Sequence, residues 1–305
     1  MFKRPLDLGL VVLIPVLFIL APYVYNNQLL LFNTMMFLTL AQGINIIFGF
    51  TGYLPFGYVG FFGAGVYGAS LATLFLHLPP VAAVLAGGLT ALLLGLILSP
   101  LLRLSGAYFA IATLAASQAV YYVIANPSLA NVTKRPYGIN LSVIYNPQAS
   151  YLTMAVITGL VTAVVIYLKR SHLGLSLKAV RDDPLAAEMA GIDVERQRML
   201  AWIWSALFAG LTGAAFAWQI SVFYPDTVFD PGISIFAIVF TLFGGTGTVF
   251  GPLLGVIVLY GIYNLIGITE PQYFQLIYGV LIMVLVVFLP EGIVSLLKRG
   301  GANVL

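Results

Sequence analysis

The feature that most constrains this chain is a series of long apolar runs from which charge is excluded. Ten segments, 8–24, 29–49, 54–76, 80–102, 107–125, 151–168, 200–221, 234–250, 251–267 and 273–289, contain no Asp, Glu, Lys, Arg or His. About 20 mainly apolar residues cross the hydrocarbon of a bilayer as a helix. The chain has 61% hydrophobic and 8% charged residues. A soluble domain carries about 25% charged residues, and no water-soluble fold of this size hides so much apolar surface. The expectation is an all-α, polytopic membrane helical bundle of about ten transmembrane segments, one domain over residues 1–305. The 31 glycines and 16 prolines fit it, since both residues are commoner in membrane helices than in soluble ones. Residues 222–250 leave room for a re-entrant or partly unwound piece. Lys3 and Arg4 before an apolar run also suit a signal peptide. Pro15, Pro22 and the lack of a small-residue cleavage site favour a retained first span.

Basic residues mark the cytoplasmic side of membrane proteins. With the N-terminus in the cytoplasm, ten spans return the C-terminus there. Lys3, Arg4, Arg103, Lys169, Arg170, Lys178, Arg181, Arg196, Arg198, Lys298 and Arg299 then face inward, eleven of the thirteen basic residues, leaving only Lys134 and Arg135 outside. Two loops are long. Residues 126–150 form an extracytoplasmic loop, and residues 169–199 form a cytoplasmic loop that holds most of the soluble-looking sequence.

Several chemistries are missing. The chain has no Cys, and His77 and His172 are its only histidines, which excludes a disulfide framework and makes a structural zinc site unreasonable. A formal net charge of +3 does not suggest nucleic acid. Proton-driven carriers place ionisable groups at membrane depth, and the spans have none. Sodium coupling through carbonyls and hydroxyls stays open. There is no Gly-x-x-x-x-Gly-Lys-[Ser/Thr] phosphate loop and no convergent Ser/His/Asp set. The expectation is a protein that is no enzyme and binds no cofactor or metal. If it moves a solute uphill, the energy comes from a partner.

The inward loop carries the most specific local signal. Asp183 caps a helix start, Pro184 suits its first turn, and residues 185–190 form helix readily. Gly191 tolerates the left-handed stop. The result is a short helix of about two turns. Ala186, Ala187 and Ala190 leave one flank smooth enough for another protein to approach. A helix lying on the membrane surface, or a plain linker, fits the same pattern.

Glycine gathers twice more. Residues 45–68 contain Gly49, Gly52, Gly57, Gly60, Gly63, Gly65 and Gly68 among aromatic residues that include Tyr53 and Phe61. Close helix packing explains such spacing; a bent or broken helix exposing its backbone to a solute explains it too. The second cluster, Gly244, Gly245, Gly247, Thr248, Gly251, Pro252 and Gly255, reads as a tight turn between spans.

These motifs together resemble the LivM-type permeases of branched-chain amino acid ABC transporters. The inward loop matches that family's coupling pattern at Gly174, Ala179, Arg181, Asp182, Ala186, Ala187, Gly191 and Ile192. The first glycine region matches at Asn45, Gly49, Gly52, Gly57, Phe61, Phe62, Gly65 and Tyr67. In the second, Gly244, Gly245, Gly247, Thr248, Gly251, Pro252 and Gly255 all match, as do 108–114, 278–279 and 288–293. Departures are Val66 for the usual Ala, Pro55 and Tyr58 where polar residues are common, and the outward loop at 133–139.

The resemblance implies a permease subunit of an ATP-binding-cassette importer in the prokaryotic cytoplasmic membrane. It implies a second related permease, two ATPase subunits that use the ATP, and an extracytoplasmic substrate-binding protein. Residues Gly174, Ala179, Arg181, Asp182, Asp183, Pro184, Ala186, Ala187, Glu188 and Gly191 would couple to the ATPase, with Arg181, Asp182 and Glu188 as its polar contacts. Asn45, Gly49, Gly52, Tyr53, Gly57, Phe61, Gly65, Gly244, Gly245, Gly247, Thr248, Gly251 and Pro252 would lie along the pathway. Leucine, isoleucine and valine are the default cargo, with urea, short amides and other small amino or carboxylic acids as alternatives. An ATPase-independent carrier or channel, a membrane transferase and a purely structural subunit are the rivals.

Overall fold

The structure is a computed structural model, and it describes residues 5–133 and 138–269 together with 276, 279, 280, 283 and 292–294. Its helices are α1 (Pro5–Val24), α2 (Gln28–Ile44), α3 (Val59–Leu76), α4 (Pro80–Ile97), α5 (Gly106–Ile124), α6 (Ala130–Thr133) and α7 (Pro147–Arg170). They continue with α8 (His172–Asp182), α9 (Pro184–Met189), α10 (Val194–Ile220), α11 (Pro225–Val228), α12 (Pro231–Gly244) and α13 (Phe250–Thr269). Seven helices are long and apolar enough to cross a membrane, and Leu13–Val24 and Phe250–Leu265 are shorter apolar helices. These nine correspond to the first nine expected spans. The expected span 273–289 lies outside the described residues, apart from 276, 279, 280 and 283.

Span ends differ from expectation where proline and glycine intervene. The third helix starts at Val59 rather than 54, because Pro55 lacks a backbone donor and disfavours helix at Leu54. The fourth gives way at Leu98 to a tighter 3₁₀ turn, Ser99–Arg103, that contains Pro100. Residues 222–250 are interrupted at Phe229 and Asp230, between α11 and α12. The fold is all-α as expected, with one short addition. Strands β1 (Ile139–Asn140) and β2 (Val222–Phe223) pair antiparallel, Ile139 opposite Phe223. Ser221 ends α10 in a left-handed conformation, φ 62°, and turns the chain into that strand.

Helix starts follow a repeated signal. Before α7, α9 and α12, an Asn or Asp precedes a Pro, and its side chain accepts a backbone N–H: Asn146 from Ala149 at 3.0 Å, Asp183 from Leu185 at 2.9 Å, Asp230 from Gly232 at 2.8 Å. Asn146 and Asp230 each fill one of the donors a helix start leaves open, and Asp183 fills two, since it also accepts the Ala186 N–H at 3.1 Å.

Among the described residues, α3, α4 and α10 pack most closely on one another. Membrane helices lack a hydrophobic drive toward one another and associate through close packing and hydrogen bonds. A Cβ on Gly65 would fall 2.1 Å from the Gly210 carbonyl oxygen, and one on Gly87 2.5 Å from the Gly65 carbonyl oxygen. The three backbones therefore touch where only glycine fits. About two turns away, Trp202 of α10 joins the same helices by donating its indole N–H to the Gly95 carbonyl of α4 at 2.8 Å. On the other flank, Phe37 of α2 sits against Phe240 of α12 and Tyr260 of α13, with ring centroids 5.4 and 5.2 Å apart. The Thr39 and Thr158 hydroxyls join α2 to α7 at 3.0 Å.

The loops gather at two ends, as alternating spans require. At one end, residues 139–144 meet 218–223: the Leu141 N–H donates to the Ser221 carbonyl at 2.6 Å and the Trp218 indole to the Ile144 carbonyl at 2.9 Å. Tyr121 donates to Asp226 there. At the other end lie Phe50, Tyr53, Arg103, the α8–α9 segment, Arg198 and the turn at 245–249.

Candidate functional site

The second end brings together the two glycine clusters and the loop between α7 and α10. It is built from α2. After Ile44 that helix widens into one π-helical turn, Asn45–Gly49. Such turns displace side chains and occur often at functional positions. The widened turn aims Asn45, which is fully buried, at the segment between α12 and α13. Asn45 Oδ1 accepts the Gly247 N–H at 2.7 Å, and Asn45 Nδ2 donates to the Thr248 carbonyl at 2.8 Å. Gln42 Nε2 donates to the Val249 carbonyl at 2.8 Å. Two carboxamides thus clamp three successive residues of the 245–249 turn. Within that turn Thr248 Oγ1 donates to the Gly245 carbonyl and accepts the Gly251 N–H, both at 2.9 Å. Gly245 and Gly247 have φ of 116° and 71°, a region that favours glycine.

The α8–α9 segment closes over this junction. Ser171 caps α8 by accepting the Gly174 N–H at 3.2 Å, and a Cβ on Gly174 would fall 1.6 Å from the Leu168 carbonyl oxygen. The expected start at Asp183 and Pro184 is present, and the helix ends before Gly191, φ 83°. The smooth flank is arranged differently from expectation. Ala187 turns inward, into a small apolar cluster with Val180 and Val194 that Ala179 and Ile192 pack against. Leu185 and Met189 instead project outward, 68% and 85% exposed, beside exposed Ala186, Glu188 and Ala190.

The three polar residues expected at a partner surface, Arg181, Asp182 and Glu188, are all exposed, but they differ in their contacts. Arg181 pairs with Asp182 at 3.2 Å, but its Nη1 reaches back to donate to the Gly49 carbonyl at 2.8 Å. Two further cations cover the same edge. Lys178 Nζ lies 5.8 Å from the centre of the Phe50 ring, and the Arg198 guanidinium 4.7 Å from that of Tyr53. Such contacts are attractive where the ring is partly shielded from water. Burial pushes the Tyr53 phenol above its ordinary pKa, with the Arg198 charge pulling the other way.

The remaining residues expected along a pathway are mostly interior. Gly49, Gly57, Phe61, Gly65, Gly244, Gly245, Gly247, Thr248, Gly251 and Pro252 are buried, Tyr53 is half-buried and Gly52 is exposed. Gly57 lies against the Thr113 carbonyl, Gly244 against that of Gly251, and Phe61 packs edge-on to Trp202 at 4.8 Å between centroids. Close packing accounts for the buried glycines. Gln42 went unread in the sequence, as did Ser205, whose Oγ donates to the Gly43 carbonyl and whose carbonyl accepts the Tyr58 hydroxyl, each at 2.8 Å. The available signal was Gln42 and Asn45 three apart in an otherwise apolar run, a spacing that puts both on one helix face. The arrangement offers hydrogen bonds and packing between elements. It is a mechanical junction between a surface-exposed helix and the interior of the bundle.

Comparison with known proteins agrees with this architecture. Residues 28–286 match the family described as the permease component of branched-chain amino acid transport systems. The high-affinity branched-chain amino acid transport system permease protein LivM of Escherichia coli (strain K12) is 27% identical, covering 88% of this chain and 72% of LivM. The LivH permease protein of the same strain is 25% identical over 49% of this chain and 50% of its own length. The fructose import permease protein FrcC of Rhizobium meliloti is 34% identical over 44% of this chain and 39% of its own length. No solved structure gives a significant match.

Proposed function

We infer the function from one premise: the chain belongs to the family of permease components of branched-chain amino acid transport systems. It is a multi-pass membrane permease of the ABC type, a transport subunit rather than an enzyme. The finer reading is our proposal. The chain is one membrane domain with both termini in the cytoplasm, and it pairs with a second, related permease. Two ATPase subunits dock at the α8–α9 end, and a substrate-binding protein delivers cargo at the opposite end, where residues 139–144 meet 218–223. ATP is bound and hydrolysed by the ATPase subunits, with no cofactor held by this chain. The cargo is a branched-chain amino acid, consistent with the names of LivM and LivH. The cytoplasmic membrane is the location.

One observation carries the docking assignment. A capped helix stands between two longer ones with Leu185 and Met189 outward. Apolar side chains of that size, set beside Asp182 and Glu188, suit a protein groove. The pathway assignment for Gly52 and Tyr53 rests on their position at the rim of the same junction. The buried glycines then act on the pathway by letting helices approach.

The test is reconstitution. The tagged chain is purified from membranes of its own host, and the eluate is examined by mass spectrometry. The preparation is placed in liposomes with ATP and radiolabelled leucine, isoleucine, valine or urea. Co-purification of ATPase subunits and ATP-dependent uptake of the branched-chain amino acids is the expected result. Uptake by a preparation without ATPase would overturn the importer reading, and selective urea uptake would replace the cargo.

A further inference from the structure

Arg181 makes a contact that a residue serving only as a partner contact does not need. Its side chain is 36% exposed, yet its guanidinium reaches into a cradle built by three glycines from both clusters. Nη1 donates to the Gly49 carbonyl at 2.8 Å. A Cβ on Gly247 would fall 3.3 Å from Nη1, and a Cβ on Gly52 3.2 Å from Arg181 Cγ. Gly247 and Gly52 also hold φ of 71° and 79°. The Gly49 carbonyl ends the π-helical turn whose first residue, Asn45, holds the Gly247 N–H at 2.7 Å and the Thr248 carbonyl at 2.8 Å. Hydrogen bonds at both ends of that turn, joined by its five residues of backbone, therefore connect α8 through the end of α2 to the α12–α13 turn.

We propose that Arg181 is a positioning residue that carries movement of the α8–α9 segment to the α2 π-turn and the 245–249 turn, rather than a contact for the ATPase. The proposal rests on the importer reading above. Three physical points support it. The bond is charge-assisted, so it is stronger than a neutral one. The acceptor belongs to a widened turn, a rare form of helix that occurs often at functional positions. The exposed half of the guanidinium pairs with Asp182 on its own segment, so both ends of the side chain are held within this chain. A movement of α8 that displaces Arg181 pulls on the Gly49 carbonyl directly. Coupling between sites needs such a physical connection with two arrangements.

The experiment uses the complete transporter in proteoliposomes and reads three quantities: ATPase subunits retained, ATP hydrolysed, and substrate taken up. Arg181→Gln keeps part of the donor capacity and loses the charge. The expected result is retention of the ATPase subunits, continued ATP hydrolysis, and a fall in uptake per ATP of about tenfold, a usual size for coupling between sites. Arg181→Lys, which keeps one charged donor, recovers uptake in part. Gly52→Ala leaves Arg181 intact but crowds its Cγ, and it reproduces the uncoupling if Arg181→Gln fails to assemble. Loss of the ATPase subunits from assembled Arg181→Gln would assign the residue to docking and overturn the proposal. Normal uptake per ATP in Arg181→Gln or in Gly52→Ala would overturn it too. If the wild-type preparation itself holds no ATPase, the importer reading fails instead.

Discussion

Asn45 and Gly247 are 202 positions apart and joined at 2.7 Å, carboxamide oxygen to backbone N–H. The same side chain donates to the Thr248 carbonyl at 2.8 Å. Both bonds are buried, so water cannot replace them. Asn45→Ala strands one donor, the Gly247 N–H, and two acceptors, the Thr248 carbonyl and Gln42 Oε1, each worth about 1–3 kcal/mol when left unpaired in the interior. The solubilised protein should lose thermal stability by several degrees. An unchanged melting temperature would show that the turn holds its shape without the clamp.

Gly65 and Gly210 set a second limit. With a Cβ at 2.1 Å from a backbone oxygen, Gly65→Val cannot be accommodated by a side-chain shift. Overpacking typically costs about 1–3 kcal/mol, and more where backbone must move. Fluorescence size-exclusion of tagged variants should show Gly65→Val largely aggregated. Gly261→Ala, where a Cβ meets nothing within 4 Å, should elute as wild type. Equal profiles would remove close packing from the account of these glycines.

The Asp183 cap gives a local prediction. Asp183→Ala frees the Leu185 and Ala186 N–H groups at a cost of about 1 kcal/mol, or roughly fivefold in helix opening. Hydrogen exchange over residues 185–189 should quicken by that factor while α7 and α10 stay protected. Asp183→Ser should restore most of the protection. If exchange is as slow in Asp183→Ala as in wild type, tertiary contacts alone hold the helix.

Leu185 and Met189 distinguish docking from folding. Both are exposed, so Leu185→Asp and Met189→Asp should leave yield and melting temperature within error. Burial of a charge against an apolar groove is costly, and the amount of ATPase recovered with the tagged chain should fall several-fold. Full recovery from both variants would place the docking surface elsewhere.

Much of this was legible in residue order alone. Uncharged runs located the nine apolar helices among the described residues, and Asp183, Pro184 and Gly191 located a short helix whose observed bounds are Pro184–Met189. Both signals are local, set by composition or by neighbours within a turn. The junction was not legible. A glycine announces that something comes close, without naming it; nothing in the spacing of Gly49, Gly52 and Gly247 says that one arginine meets all three. The resemblance implies Arg181 as a polar contact for a partner, and its bond to the Gly49 carbonyl depends on how α8 folds back against α7, which residue order does not carry. The Asx–Pro start read at Asp183 recurs at Asn146 and Asp230, where the apolar run drew the eye to a later first residue.

The small ladder between β1 and β2 has a consequence in time. Ile139 leaves the ribosome well before Phe223, its partner, with α7 through α10 still to be made between them. Chains grow at about 5–20 residues per second, so β1 waits on the order of several seconds without a partner. Throughout that interval the loop that carries it is tied down by neither Phe223 nor Ser221. The ladder can close only after α10 has been made, because Val222 and Phe223 follow its last residue, so its closure brings together segments that α7 through α10 separate in the chain.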